Sequence, residues 1–117
     1  MAWMLPRLVG VPNALDLLFS ARTIDAAEAL RIGLVNQVFP QDIFLDKVRE
    51  NAREMASSVS PRSLRVMKRQ VYEAMFQNLS EAFELAEREM LASLKSEDFK
   101  EGVAHYLEKR APSFTGR

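Results

Sequence analysis

The sequence holds no cysteine and a single histidine, His105, in 117 residues. The first absence removes disulfides, thiol nucleophiles and thiolate metal sites. The second leaves little from which to build an imidazole-based site. Charge of one sign is missing as well: sixteen basic and sixteen acidic residues cancel to a formal net charge of zero. A dedicated nucleic-acid binder usually carries a basic excess, so the balance argues against that class while leaving room for a local basic patch. The N-terminal "MAWMLPRLVGV" has no basic region ahead of a long apolar run and is broken by Pro6, Gly10 and Pro12. It reads as neither a signal peptide nor a membrane span. A cytoplasmic chain is expected, or a piece of an organelle protein whose targeting segment is absent. No internal repeat or low-complexity segment stands out.

What is present is a globular pattern, with 48% hydrophobic and 27% charged residues. The length fits one domain. A short helical turn up to Leu8 is expected to end at Gly10, with Asn13 capping a second piece that carries Leu15, Leu17, Leu18 and Phe19. Asp25 then reads as an N-cap, with Glu28 in the capping-box position and Gly33 as the left-handed stop. From Asp42 a helix is predicted to about Ser58. Ser60-Pro61 is a start signal for another, in which Leu64, Met67, Val71, Ala74 and Met75 recur at helical spacing. Asn78 or Ser80 caps the next helix. Ser96 caps the last, where Glu97 and Asp98 sit well against the helix dipole; it dissolves in "RAPSFTGR".

The fold class is therefore mainly α: five or six helices and one short strand, Leu34–Phe39. That strand is an orphan, because no second segment of comparable quality exists to pair its backbone groups. It should either pair with another chain or lose its strand character.

Few residues point to chemistry. His105 lies in the middle of the final helix, where a lone ring specifies a site only weakly. The carboxylate pairs Glu81/Glu84, Glu84/Glu87 and Asp42/Asp46 lie opposite apolar stripes, so they read as solvated helix faces. No catalytic residue and no metal site is assigned. Arg62, Arg65, Lys68 and Arg69 form a basic stripe that could meet phosphates. Pairing with the acidic face Glu81, Glu84 and Glu87 of the following helix is the favoured reading, since a neutral chain exerts no long-range pull on polyanions. In the final helix Tyr106 and Lys109 are three apart, on one helix face. A ring beside an ammonium suits a stacked base next to a phosphate.

Taken together, "LPRLVGVPNALDLLFSARTIDAAEALRIGLVNQVFP", the "SP" helix start with Lys68, and "SEDFKEGVAHYLEKRAPSFTGR" resemble the C-terminal part of the crotonase superfamily, the enoyl-CoA hydratases and isomerases. The resemblance runs over essentially the whole of residues 1–117. It implies a helical region that covers the active site and builds trimers, following an N-terminal core of ββα units that this sequence lacks. The same resemblance places the oxyanion hole and the catalytic glutamates in that core, and predicts an orphan strand whose partners lie there. It also implies a coenzyme A thioester as substrate, with no covalently bound cofactor. Tyr106 and Lys109 match an aromatic residue and a lysine that family members place near the adenine and phosphates of coenzyme A. Phenylalanine often stands where Tyr106 does, a departure that leaves stacking possible.

Two readings follow. In the first the chain is part of an acyl-CoA hydratase or isomerase, inactive alone and prone to self-association. In the second it is a non-catalytic helical module that self-associates or docks on another chain. Neither requires nucleic acid or a membrane; RNA binding through Arg62, Arg65, Lys68 and Arg69 is a distant third.

Overall fold

The computed structural model describes residues 2–117 and contains six α-helices. They are α1 (Leu5–Ser20), α2 (Ala26–Arg31), α3 (Phe44–Ser58), α4 (Pro61–Glu73), α5 (Leu79–Leu94) and α6 (Glu97–Glu108). The chain divides into two compact units, one ending at Lys47 and one running Val48–Arg117.

In the first unit α1 starts with proline in its opening turn and is interrupted at Gly10, whose φ of 77° and ψ of 159° lie outside the helical region. Only glycine adopts such a backbone without strain, and Pro12 two residues on has no N–H to continue the ladder. Asn13 does not cap the second piece from its N-terminal side, as the sequence pattern predicts. Its amide nitrogen Nδ2 instead donates to the Val9 carbonyl at 2.9 Å, satisfying an acceptor that the break at Gly10 frees. Asp25 caps α2 as expected, accepting from the Glu28 N–H at 2.7 Å. The Glu28 carboxylate is bonded to Arg22 at 2.6 and 2.7 Å and to Arg31 at 3.2 Å. Gly33, with φ 78°, ends α2 in a Schellman turn: its N–H donates to Leu30 O at 3.1 Å and that of Leu34 to Ala29 O at 2.9 Å.

Leu34–Phe39 is not a strand. The N–H groups of Leu34 and Val35 are both spent on Ala29 O, and among the described residues no strand is present to pair with the rest of the segment. This is the second of the two outcomes expected of an orphan strand. The core of the unit is Leu5, Val9 and Ala14, with Leu17, Ile32 and Leu34 packed against it.

The second unit is organised by caps. Ser60 Oγ accepts from Ser63 N–H at 3.1 Å, with Pro61 opening α4. Asn78, rather than Ser80, caps α5 in a complete capping box with Glu81, at 3.0 and 2.9 Å. Ser96 Oγ accepts from Phe99 N–H at 3.0 Å to start α6. Helix α4 packs on α5 and α5 on α6, burying Leu85. Helices α3 and α4 contain no buried residue, and most of their apolar side chains, among them Leu45, Met55, Met67 and Val71, are exposed. So are Phe83 (70%) and Leu107 (72%). The apolar stripes predicted from periodicity are present, but most are uncovered.

Candidate functional site

The residues singled out for ligand contact converge on the C-terminal end of α6. Ser96, Glu97 and Asp98 secure its start, where acidic groups meet the positive end of the helix dipole. Tyr106 lies in its last turn with 78% of its surface exposed. Lys109 is the C-cap, not a helical residue: its φ of 54° and ψ of 40° are left-handed, and its N–H donates to His105 O. The two residues therefore do not share one helical face, as the three-residue spacing predicts. Tyr106 lies in the last helical turn and Lys109 just past it, where the chain reverses its hand. Both are exposed.

The turn beyond them is tied down by Arg110. Its guanidinium donates to both oxygens of Glu101, at 2.5 and 2.7 Å, and to Glu108 at 2.5 Å. Glu101 also accepts from the Ser113 N–H at 2.7 Å. The Arg110 guanidinium, followed by that backbone N–H, holds the Glu101 carboxyl at about 2, far below the usual carboxylate range. The paired carboxylates in turn push the Arg110 guanidinium upward.

A second carboxylate, Asp98, is only 4% exposed. It accepts from Ser60 Oγ at 2.5 Å, from Thr115 N–H at 2.7 Å and from Gly116 N–H at 3.0 Å. Its own N–H donates to Arg117 O at 2.9 Å. Burial pushes this carboxyl up, but the bonds from Ser60, Thr115 and Gly116 outweigh it and hold the group below its ordinary value. The tail that the sequence pattern shows as dissolving is thus strapped back along α6. His105 takes part in the same packing. Its ring meets Phe114 edge-to-face, centroids 5.9 Å apart, and Nδ1 lies 3.3 Å from Arg110 O. That is a structural role.

The basic stripe of α4 does pair with α5, through a different acid than expected. Arg62 lies 3.7 Å from Glu89, and Arg69 also pairs with Glu89 and, at 3.5 Å, with Glu73. Glu81 is taken by the capping box, and Glu84 and Glu87 are exposed. Beside the Arg62–Glu89 pair, an open groove of about 700 Å³ runs between α4 and α5, lined by Val66, Met67, Phe83, Ala86 and Met90. A smaller apolar hollow in the first unit, about 350 Å³, is lined by Ala29, Val35, Val38, Phe39 and Phe44. Among the described residues no cluster of three or more His, Cys, Asp or Glu side chains is placed to hold a metal. No helix among them is long and apolar enough to cross a membrane.

Neither Asp98 nor Glu101 emerges from the sequence pattern as part of a site. Asp98 reads there as a dipole partner, and the only hint of more is a basic residue, Arg110, nine positions after Glu101.

The six helices among the described residues match the helical C-terminal region of a crotonase fold. The structure superposes on a probable enoyl-CoA hydratase/isomerase from Mycobacterium abscessus with a TM-score of 0.94 at 29% identity, covering 99% of this chain and 46% of that one. An enoyl-CoA hydratase from Bacillus anthracis gives 0.92 at 30% identity, covering 98% and 44%. The family model for enoyl-CoA hydratase/isomerase matches residues 1–117, and the chain belongs to that family. A probable enoyl-CoA hydratase of Mycobacterium tuberculosis is 41% identical over 113 residues, 97% of this chain and 44% of the relative. A putative enoyl-CoA hydratase of Thermus thermophilus is 36% identical over 94% of the chain and 43% of the relative. The chain thus spans less than half the length of the curated relatives it matches.

Proposed function

We propose that this chain is the C-terminal part of a cytoplasmic acyl-CoA hydratase or isomerase, covering the acyl-CoA pocket and making oligomer contacts. In this reading residues 1–117 are the cover and trimerisation region of a crotonase-like protein, and the ββα core that carries the chemistry is not part of them. The observation that carries it is the apolar surface left open on α3, α4 and α5 of a chain whose family match spans its full length. Exposed patches of that kind mark surfaces that meet another protein surface.

Tyr106 and Lys109 meet the nucleotide end of a coenzyme A thioester, the ring stacking on the adenine and the ammonium pairing with a phosphate. Their exposure at the end of α6 supports this assignment. The chain alone does not hydrate a thioester. Such chemistry needs backbone N–H donors and carboxylates held together around the carbonyl. The carboxylates described above lie on solvated faces or are committed to caps, straps and ion pairs.

The experiment is a calorimetric titration of the protein with coenzyme A. Tyr106→Ala and Lys109→Ala are each expected to weaken binding about tenfold, the order of one charge-assisted contact or one stacked base. Unchanged affinity in both variants overturns the assignment. Turnover of a crotonyl thioester by the purified chain overturns its inactivity.

A further inference from the structure

Lys109 holds a conformation that its residue type disfavours. With φ 54° and ψ 40° it occupies the left-handed region, where a side chain crowds the following carbonyl. That position after a helix is ordinarily glycine or asparagine. A lysine there has to be held by its surroundings, and the surroundings are unusually well defined. One residue on, Arg110 forks onto both oxygens of Glu101 at 2.5 and 2.7 Å. Glu101 stands two turns back along α6 and also accepts from Ser113 N–H, three residues beyond Arg110. One carboxylate therefore grips the chain on the far side of the left-handed turn at two points. The Arg110 N–H adds a bond to His105 O at 3.2 Å.

We infer that Glu101 is a positioning residue for the coenzyme-facing end of α6. By clamping Arg110 and Ser113 it keeps Lys109 in its left-handed conformation, and so fixes the direction in which the ammonium is presented. The inference rests on the assignment of Tyr106 and Lys109 to coenzyme A made above. Glu101 itself touches no ligand in this scheme. Its carboxylate is committed to the guanidinium fork and the Ser113 N–H, and as an anion it would repel a phosphate.

Glu101→Gln keeps the size of the side chain and one acceptor oxygen but removes the charge and the second arm of the fork. The test is a double-mutant cycle on coenzyme A affinity with Glu101→Gln, Lys109→Ala and the pair. It is accompanied by the three-bond HN–Hα coupling of Lys109, which reports φ directly. Glu101→Gln is expected to weaken binding severalfold and to move the Lys109 coupling away from its wild-type value. Once the ammonium is gone its direction no longer matters, so the double variant should bind no worse than Lys109→Ala alone.

If wild-type protein shows no saturable binding, or Lys109→Ala changes nothing, the assignment beneath the inference falls and takes the inference with it. If Lys109→Ala weakens binding but Glu101→Gln does not, the positioning role alone is overturned. It is likewise overturned if the two losses multiply in the double variant, the result expected when Glu101 merely supports folding. An unchanged Lys109 coupling in Glu101→Gln has the same consequence.

Discussion

Replacing Asp98 with asparagine should release the C-terminal strap, while Ser96 and Glu97 still hold the start of α6. Oδ1 of Asp98 accepts from Thr115 N–H at 2.7 Å and Gly116 N–H at 3.0 Å, while Oδ2 accepts from Ser60 Oγ at 2.5 Å. Asparagine has one carbonyl oxygen and an NH2 group. Its best orientation keeps the oxygen toward the two N–H donors and turns the NH2 toward Ser60. There the hydroxyl already accepts from Ser63 N–H at 3.1 Å and has to serve a second donor. Every surviving bond also becomes neutral. Bonds to a charged acceptor are worth about 1.5–3 kcal/mol and neutral ones about 0.5–1.5 kcal/mol, so the substitution should cost roughly 2 kcal/mol of strap closure. That corresponds to about a thirtyfold rise in strap opening.

Amide hydrogen exchange reads this directly, because Thr115 and Gly116 are the amides whose acceptor is weakened. At neutral pH their protection should fall about thirtyfold, with the Leu34 amide in the Schellman turn of the first unit as an unaffected reference. The pH dependence follows from the same carboxylate. Its folded value lies below its ordinary one. The stabilisation is therefore present in full above the unfolded carboxyl range, near pH ~4, and is lost as pH falls through the folded value. The difference between wild type and Asp98→Asn should be constant from neutral pH down to the unfolded range and shrink below it. Protection within threefold of wild type at both amides, or a difference that persists undiminished into strong acid, would refute the reasoning.

Gly33→Ala should destabilise the first unit by about 1–2 kcal/mol through backbone strain at φ 78°. The added methyl would meet Leu8 O at 3.7 Å, an ordinary contact, so crowding adds nothing; urea unfolding of Gly33→Ala beside wild type measures the loss. The open apolar faces should make the protein self-associate, with an average mass in sedimentation at micromolar concentration above the 13.3 kDa of one chain. A single species at monomer mass counts against that expectation.

Much of this architecture was legible in the residues. Asp25, Ser60, Asn78 and Ser96 cap helices where their types predict, since a cap depends on a side-chain oxygen and an N–H only three residues away. Gly33 stops α2 for an equally local reason. Asn13 departs from the cap its type predicts because its role is set by the break at Gly10, which turns the side chain back to Val9 O. The acid that pairs with the α4 stripe also differs from the one its periodicity predicts. Helical periodicity says which side chains share a face, but the way α4 lies on α5 decides that Glu89 meets Arg62 and Arg69.

Tyr106 and Lys109 could be picked out from their types, while the left-handed turn that separates them from a common helical face could not. Nor could the straps, since Asp98 and Glu101 meet partners between nine and thirty-eight residues away. The sequence alone determined the helices, most of their starts and the family, because each follows from short-range spacing or from a pattern read along the chain. Tertiary structure decided where buried and clamped carboxylates find their donors, because such pairings depend on closures of the chain that no local spacing encodes. It also decided the fate of Leu34–Phe39. A strand exists only as one side of a ladder, and without the other side this segment's first two N–H groups turned back to the helix before it.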